Sequence, residues 1–582
     1  MEYKSENRIC QNCKGEFKIE LDDFGFYEKI KVPLPTFCPE CRLIRRLLMR
    51  NERTLYKRKC DLCNEEKILV FPKDSKYKVY CHGCFYGDGW DRQEYAIDFD
   101  FSKPFFEQYK RLYDSVPRLG IAKQGFQVNS EYVNRASDVK NCYMIFASNV
   151  NEDCYYGVAY WESRNCMDCY NARKCERCYE CIDCYNCNGL KYGKECNECI
   201  DSYFLNNCRS CQNCFGCTNL RNKSYCIFNE QYSRDDYLSK ISELKLSNGV
   251  EIEKIKEAVK NESVKYIVPC FIEKKSVNVS GNWIENSKNV RNSFNCDRVE
   301  DGKYLFGVSD AKDIMDNTYW GAGSELIYES SSIGRQCSSV FFSNESWDQL
   351  TYAEYCINCF SSSDLFGCVG LRKKQYCILN KQYTKEEYNS LVPKIKEQMK
   401  SAPFIDSVGR IISYGEFFPS DMLPFAYNET IAQEYFPKTK AEATTCGYRW
   451  REPDVKNYVP TILVNELPTN INLVSDNILD EIIACVHEGK CNQQCTTAFK
   501  IVLNELQFYR ANNLPLPKLC PNCRHYERLS KRQPIKLWHR SCMCELENHG
   551  HEGNCQNEFE TSYAPDRLET VYCLGCYRKE VN

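Results

Sequence analysis

The chain has 582 residues, with 77 basic against 80 acidic side chains and 42 cysteines. That length allows several domains, and a net charge near zero argues against a whole-protein polyanion binder while leaving local basic patches open. The amino terminus (MEYKSENRIC) has no apolar targeting segment and no apolar run reaches membrane-spanning length. A cytoplasmic protein without membrane contact is therefore expected, its thiols reduced and used as metal ligands or buried free thiols.

The first 95 residues carry paired C-x-x-C knuckles at the separation a tetrahedral thiolate site needs. Cys10, Cys13, Cys38 and Cys41 form one expected site, and Cys60, Cys63, Cys81 and Cys84 a second. The segment 96–127 is expected to be a helical linker, with a short amphipathic helix over Pro104–Tyr113.

Two copies of one repeat domain follow, 128–232 and 279–383, separated by a helical linker at 233–278. Phe215-Gly-Cys217 through Asn229 recurs as Phe366-Gly-Cys368 through Asn380, an offset of 151. Inside the first copy Cys154, Cys175, Cys196 and Cys217 are each 21 apart. A short fixed period in a stretch rich in Tyr, Cys, Asn and Gly predicts a β-solenoid whose coils stack residues one period apart into interior ladders. In the second copy the ladder beneath Cys368 is expected to run through Trp347, Leu326 and Leu305, so that the thiols are packing groups first. The alternative is further metal on pairs such as Cys175, Cys178, Cys196 and Cys199.

The segment 384–480 reads as a helical linker region, with capping boxes at Thr384/Glu387 and Thr439/Glu442 and a helix stop at Gly447. Residues 481–582 repeat the N-terminal scheme with Cys491, Cys495, Cys520 and Cys523. A second site there takes Cys555, Cys573 and Cys576 with Cys542, or with Cys544 in its place. About ten residues inserted between its first two ligands, including His549 and His551, hold another ion or form a polar loop. Five of the six histidines lie after residue 480, which favours closed four-thiolate sites, about four zinc ions in all, over open catalytic ones.

Basic residues cluster between the two sites of each module. Arg42, Arg45, Arg46, Arg50 and Arg53 at one end and Arg524, Arg528 and Arg532 at the other are candidate phosphate contacts for RNA or a ribonucleoprotein. The competing reading is a solvated helix face whose charge offsets that of the thiolates. There is no Walker-type phosphate loop and no H-E-x-x-H, so no enzyme is expected.

C-x-x-C-x-x-x-F, then F-Y, then a proline before C-x-x-C-R, resembles the zinc-ribbon (treble-clef-like) domain of many bacterial proteins of unassigned function. The likeness covers residues 10–46 and 491–528, and the whole chain resembles long cysteine-rich zinc-ribbon proteins of uncultivated bacteria with reduced genomes. It implies structural zinc on the knuckle cysteines and brings no established activity. The Cys-Pro-x-Cys knuckle is also similar to rubredoxin-type iron sites, so iron is an alternative metal. The expectation is a mainly β, multidomain, non-enzymatic zinc scaffold that binds RNA or a ribonucleoprotein. The alternatives are a protein-interaction scaffold and a metal store or redox thiol protein.

Overall fold

The structure is a computed structural model that describes residues 4–452 and 459–581. Residues 1–3, 453–458 and 582, which fall in the expected N-terminal module, linker region and C-terminal module, lie outside the described residues.

Two parallel β-solenoids form the middle of the chain, as the sequence led us to expect, but their coil is 12 residues rather than 21. Tyr155, Met167, Tyr179, Lys191, Tyr203, Phe215 and Ile227 stack in that order at a constant step of 12. The backbone reason is a triplet. From Arg135 to Phe228 every third residue has positive φ, for example Asn141 at 53°, Asp153 at 53° and Asn165 at 50°. Asn and Asp tolerate this left-handed region best, so they recur at the corners. Each interior cysteine follows a corner directly, as in Asn141-Cys142, Asp153-Cys154 and Asn165-Cys166. Four three-residue sides make one coil. The spacing of 21 is seven triplets, a multiple of the corner period and not of the coil.

The second solenoid stacks the same way with less regular coils. Glu325, Ser338 and Thr351 are 13 apart, and Thr351, Ser363 and Gln375 are 12 apart. The ladder beneath Cys368 therefore runs through Cys356 and Ser343, not through Trp347 and Leu326. Trp347 lies instead against Phe360 and the N-terminal module.

Interior thiols pack and hydrogen-bond to the backbone. Cys154 Sγ donates to Glu152 O at 3.4 Å and Ser163 O at 3.5 Å. Cys166 does the same with Arg164 O at 3.2 Å and Cys175 O at 3.4 Å. Serine fills the same positions: Ser343 Oγ donates to Phe341 O at 2.9 Å and accepts Cys356 N–H at 3.1 Å. Both side chains are small and can serve backbone groups that a tight corner leaves without a partner.

Each terminal module contains two ribbons. In the first, the hairpin Glu6–Ile9/Glu16–Ile19 precedes helices Leu21–Ile30 and Pro39–Leu47. The second has the hairpin Tyr56–Lys59/Glu66–Leu69, the strand Val79–Tyr80 and the helix His82–Tyr86. The C-terminal module repeats this with Ile483–Ala484/Ala498–Phe499, helices Leu503–Ala511 and Pro521–Ser530, the hairpin Trp538–Ser541/Glu558–Thr561 and helix Leu574–Val581.

A helix lies at Phe105–Ser115, where the amphipathic pattern placed it, and helices lie at Lys385–Ser401 and Lys440–Thr445, where the capping boxes placed them. The stretch after residue 403 is core as well as connection. Phe417, Phe418, Tyr427 and Ile431 are buried in the largest apolar cluster, between the N-terminal module and the second solenoid.

Candidate metal centres

Four cysteine tetrads bring their sulfur atoms within 4.8 Å of one another: Cys10/Cys13/Cys38/Cys41, Cys60/Cys63/Cys81/Cys84, Cys485/Cys495/Cys520/Cys523 and Cys542/Cys555/Cys573/Cys576. The local geometry repeats. In each N-terminal tetrad a hairpin corner supplies the first two ligands. Lys14 N–H donates to Cys10 O at 3.0 Å with Lys14 at φ 62°, and Asn64 N–H to Cys60 O at 2.9 Å with Asn64 at φ 58°. A helix start supplies the other two, with Cys38, Cys81 and Cys520 as N-cap residues. The positive end of a helix favours a thiolate there.

The backbone N–H of each third ligand donates to the sulfur of the first. The distances are 3.3 Å for Cys38 to Cys10, 3.2 Å for Cys81 to Cys60, 3.3 Å for Cys520 to Cys485 and 3.1 Å for Cys573 to Cys542. Hydrogen bonding within the site lowers one thiol of each tetrad. Burial pushes Cys60 up, but N–H groups of Cys63, Cys81 and Leu62 outweigh it and hold the thiol at about 7. Cys573 is likewise held at about 7 against burial, by Cys576 N–H and Asn557. Hydrogen bonds from Cys38 and Cys41 lower Cys10, and those from Cys485 and Cys523 lower Cys520. One thiol of each tetrad is thus lowered, and four thiolates at this spacing fit a closed tetrahedral ion.

One ligand differs from the sequence reading. Cys485 occupies the first-ligand place, at the end of the strand Ile483–Ala484 and opposite Cys520 N–H, as Cys10 does at the other end of the chain. Cys491, expected there from its four-residue spacing to Cys495, is a fifth thiol with Sγ 3.7 Å from Cys523 Sγ. The gap from Cys485 to Cys495 is 10 residues against 3 from Cys10 to Cys13, which hid Cys485. In the last tetrad Cys542, not Cys544, joins Cys555, Cys573 and Cys576.

The arginines expected to contact phosphate are turned inward, against the solenoids. Arg42 and Arg46 grip one carboxylate, Asp316, at 2.8 and 3.2 Å, with Arg46 and Asp316 both 0% exposed. Arg45 pairs with Glu329 and, at 2.9 Å, with Glu416. Arg50 bonds Glu52 at 2.5 Å and lies 4.0 Å over the Tyr319 ring, and Arg53 sits 3.7 Å from Glu434. The C-terminal module repeats the contact. Arg524 and Arg528 grip Asp168, each at 2.7 Å, and Arg532 reaches Asp183 at 3.0 Å while lying 4.3 Å over Tyr170. All eight guanidiniums are thus engaged within the chain and removed from a surface that could meet phosphate. Charge is legible in a sequence; the carboxylates that meet Arg42 and Arg528, 274 and 360 residues away, are not.

The docking is crossed. The N-terminal helix Pro39–Leu47 lies on the second solenoid and the C-terminal helix Pro521–Ser530 on the first. The second ribbon of each module does the converse. Val79–Tyr80 pairs in parallel with Arg118–Leu119, which leads into the first solenoid, and Val571–Tyr572 with Val268–Pro269, which leads into the second.

Glu434, between Arg53 and His525, is pushed up to about 7 by burial, against the pull of Arg53. A carboxyl raised on folding contributes stability below its unfolded value near 4.5 and loses it as pH climbs through about 7. Glu434→Gln is therefore expected to remove a loss on the order of 3 kcal/mol across that window. Denaturant midpoints of the two proteins at matched pH values check this; parallel pH profiles would refute it.

No known protein family and no curated protein matches the chain. Among the solved structures it matches is a crystal structure from Desulfovibrio desulfuricans G20 that is called an acetyltransferase. Identity is 10%, the match covers 43% of this chain and 66% of that one, just under two thirds, and the TM-score is 0.10. A likeness at that level carries no argument. Among the described residues no helix is long and apolar enough to cross a membrane.

Proposed function

We propose that this protein is a non-enzymatic scaffold stapled by zinc, in which tetrathiolate ions stiffen two terminal modules so that each clamps a β-solenoid. The observation that carries this reading is the repeated clamp: two arginines one helical turn apart on a metal-pinned helix, closing on Asp316 in one half and on Asp168 in the other. Zinc is favoured because the tetrads are all-sulfur and closed, which suits a structural ion without redox work.

A protein partner fits better than RNA. The arginines that motivated an RNA reading are occupied internally, and the outer flanks carry self-paired charges. Glu152 bridges Lys140 at 2.7 Å and Arg164 at 3.4 Å, and Glu300 bridges Lys288 at 3.6 Å and Lys312 at 3.4 Å. Alternating charge offers no phosphate track. The storage reading is disfavoured by the solenoid thiols, which donate to backbone carbonyls.

The test is zinc per chain by elemental analysis after anaerobic purification. Filled tetrads give about four ions. A chain with no tightly held zinc or iron would sink the scaffold reading, and a load several-fold higher would bring the solenoid thiols forward as a store.

A further inference from the structure

The last ribbon contains a second group of ligands that shares a sulfur with its tetrad. Cys544, His549, His551 and Cys576 present their ligand atoms within 4.8 Å of one another, and Cys576 also belongs to the tetrad with Cys542, Cys555 and Cys573. We propose that this ribbon holds two zinc ions bridged by the Cys576 thiolate, the second completed by Cys544, His549 and His551.

The group is built by the residues that set this ribbon apart from its N-terminal counterpart. Cys60 and Cys63 are 3 apart, whereas Cys542 and Cys555 are 13 apart, and the inserted loop supplies three of the four new ligands. The loop is anchored at its base. Cys542 N–H donates to Asn557 O at 2.8 Å, and Cys555 N–H to Cys544 O at 2.9 Å. The turn back toward Cys576 passes through Gly550 at φ 82°, where a side chain would be strained and would meet Lys579.

Each imidazole is aimed. His549 turns Nδ1 to Cys544 Sγ at 3.1 Å and Nε2 to the Glu580 carboxylate at 3.0 Å. His551 turns Nε2 to Cys576 Sγ at 3.5 Å and Nδ1 to Gly553 O at 2.8 Å. In both rings an acceptor takes the proton of the outer nitrogen and leaves the inner one with a free lone pair. That is how a zinc-bound histidine is oriented. Both inner distances are close to the edge of a tetrahedron with zinc bonds of 2.0–2.3 Å, about 3.3–3.8 Å. The His549 side chain is 1% exposed, so a solvated polar loop does not describe it.

The ligands of the second ion are two sulfurs and two nitrogens, a closed set for a structural ion. The shared thiolate also eases charge. One ion in four thiolates carries about −2, while two ions in five thiolates and two neutral imidazoles carry about −1.

The test is zinc per chain in the full-length protein and in H549A/H551A, C544S, H551C and H539A. The wild type is expected to hold one ion more than H549A/H551A and C544S. H551C, which restores a ligand, is expected to match the wild type, as is H539A, whose histidine is outside the group. Equal zinc in the wild type and H549A/H551A overturns the site while leaving the four tetrads standing. Loss of two ions in H549A/H551A without recovery in H551C overturns it too, because the histidines would then serve only the ribbon's folding. Absence of zinc from every protein would instead refute the tetrads.

Discussion

Stripping metal from the purified chain is expected to unfold both terminal modules while the two solenoids stay folded. The second ribbons have almost no core of their own: the buried cluster of the last one consists of Cys542, Cys544, Cys555, Cys573 and Cys576 with Tyr572 and Tyr577. Remove the ion, and what remains is a set of like-charged or newly protonated sulfurs on hairpins too short to stand alone. Structural zinc supplies about 10–16 kcal/mol of apparent binding energy per site in isolated finger peptides at neutral pH, more than the whole stability of many domains. The solenoids have separate interiors, one built on Cys154, Cys166, Cys178 and their neighbours and the other on Val308, Ile327, Val340 and Leu365. Limited proteolysis read by mass spectrometry checks this. After chelation, cuts should concentrate in 4–95 and 481–581 while strand circular dichroism persists. Simultaneous loss of both would show that the solenoids, too, depend on the ions. Acid should act in the same direction, since protons compete with metal for thiolates.

Asp316→Ala is expected to cost about 3–5 kcal/mol, the range for removing one partner of a buried ion pair. It strands Arg42 and Arg46 together, and Arg46 keeps only its hydrogen bond to Thr318 Oγ1. Asp168→Ala should cost somewhat less, because Arg524 retains Glu505 at 3.2 Å. Since the chain has several parts, the quantity to read is the first denaturation transition together with protease sensitivity of the matching module. Adding R42M/R46M to Asp316→Ala should recover most of the loss, because apolar groups of similar length leave no charge stranded. If the single and triple variants unfold alike, the clamp is incidental to the docking.

The N-terminal tetrads were legible because their ligands obey local rules: a corner gives two residues, a helix start gives two more, and each pair is three residues apart. Cys485 was not, because its hairpin corner is widened and Cys491 offered a closer match to the expected spacing. In the first solenoid the repeat was visible and its unit was not. Cysteines sit at every third residue with gaps, so any multiple of three recurs, and only the backbone pairing of Tyr155 with Met167 selects 12. The arginines show the opposite failure. Their number and helical spacing were plain in the sequence, but whether they face water or a carboxylate is decided by a surface built hundreds of residues away.

The crossed docking sets an order of events during synthesis. Arg42 leaves the ribosome 274 residues ahead of Asp316, and Asp168 appears 356 residues before Arg524. At about 5–20 residues per second those intervals last from roughly 14 s to over a minute. Through that time the first solenoid displays a carboxylate and a ring surface shaped for a module not yet made, and the N-terminal module holds its guanidiniums in water. Neither arginine clamp can close within its own half, since each fits the other half's solenoid. A chain cut short before residue 520 would therefore keep one open docking face however well its finished parts fold, so completion of the polypeptide is itself a condition for the final assembly.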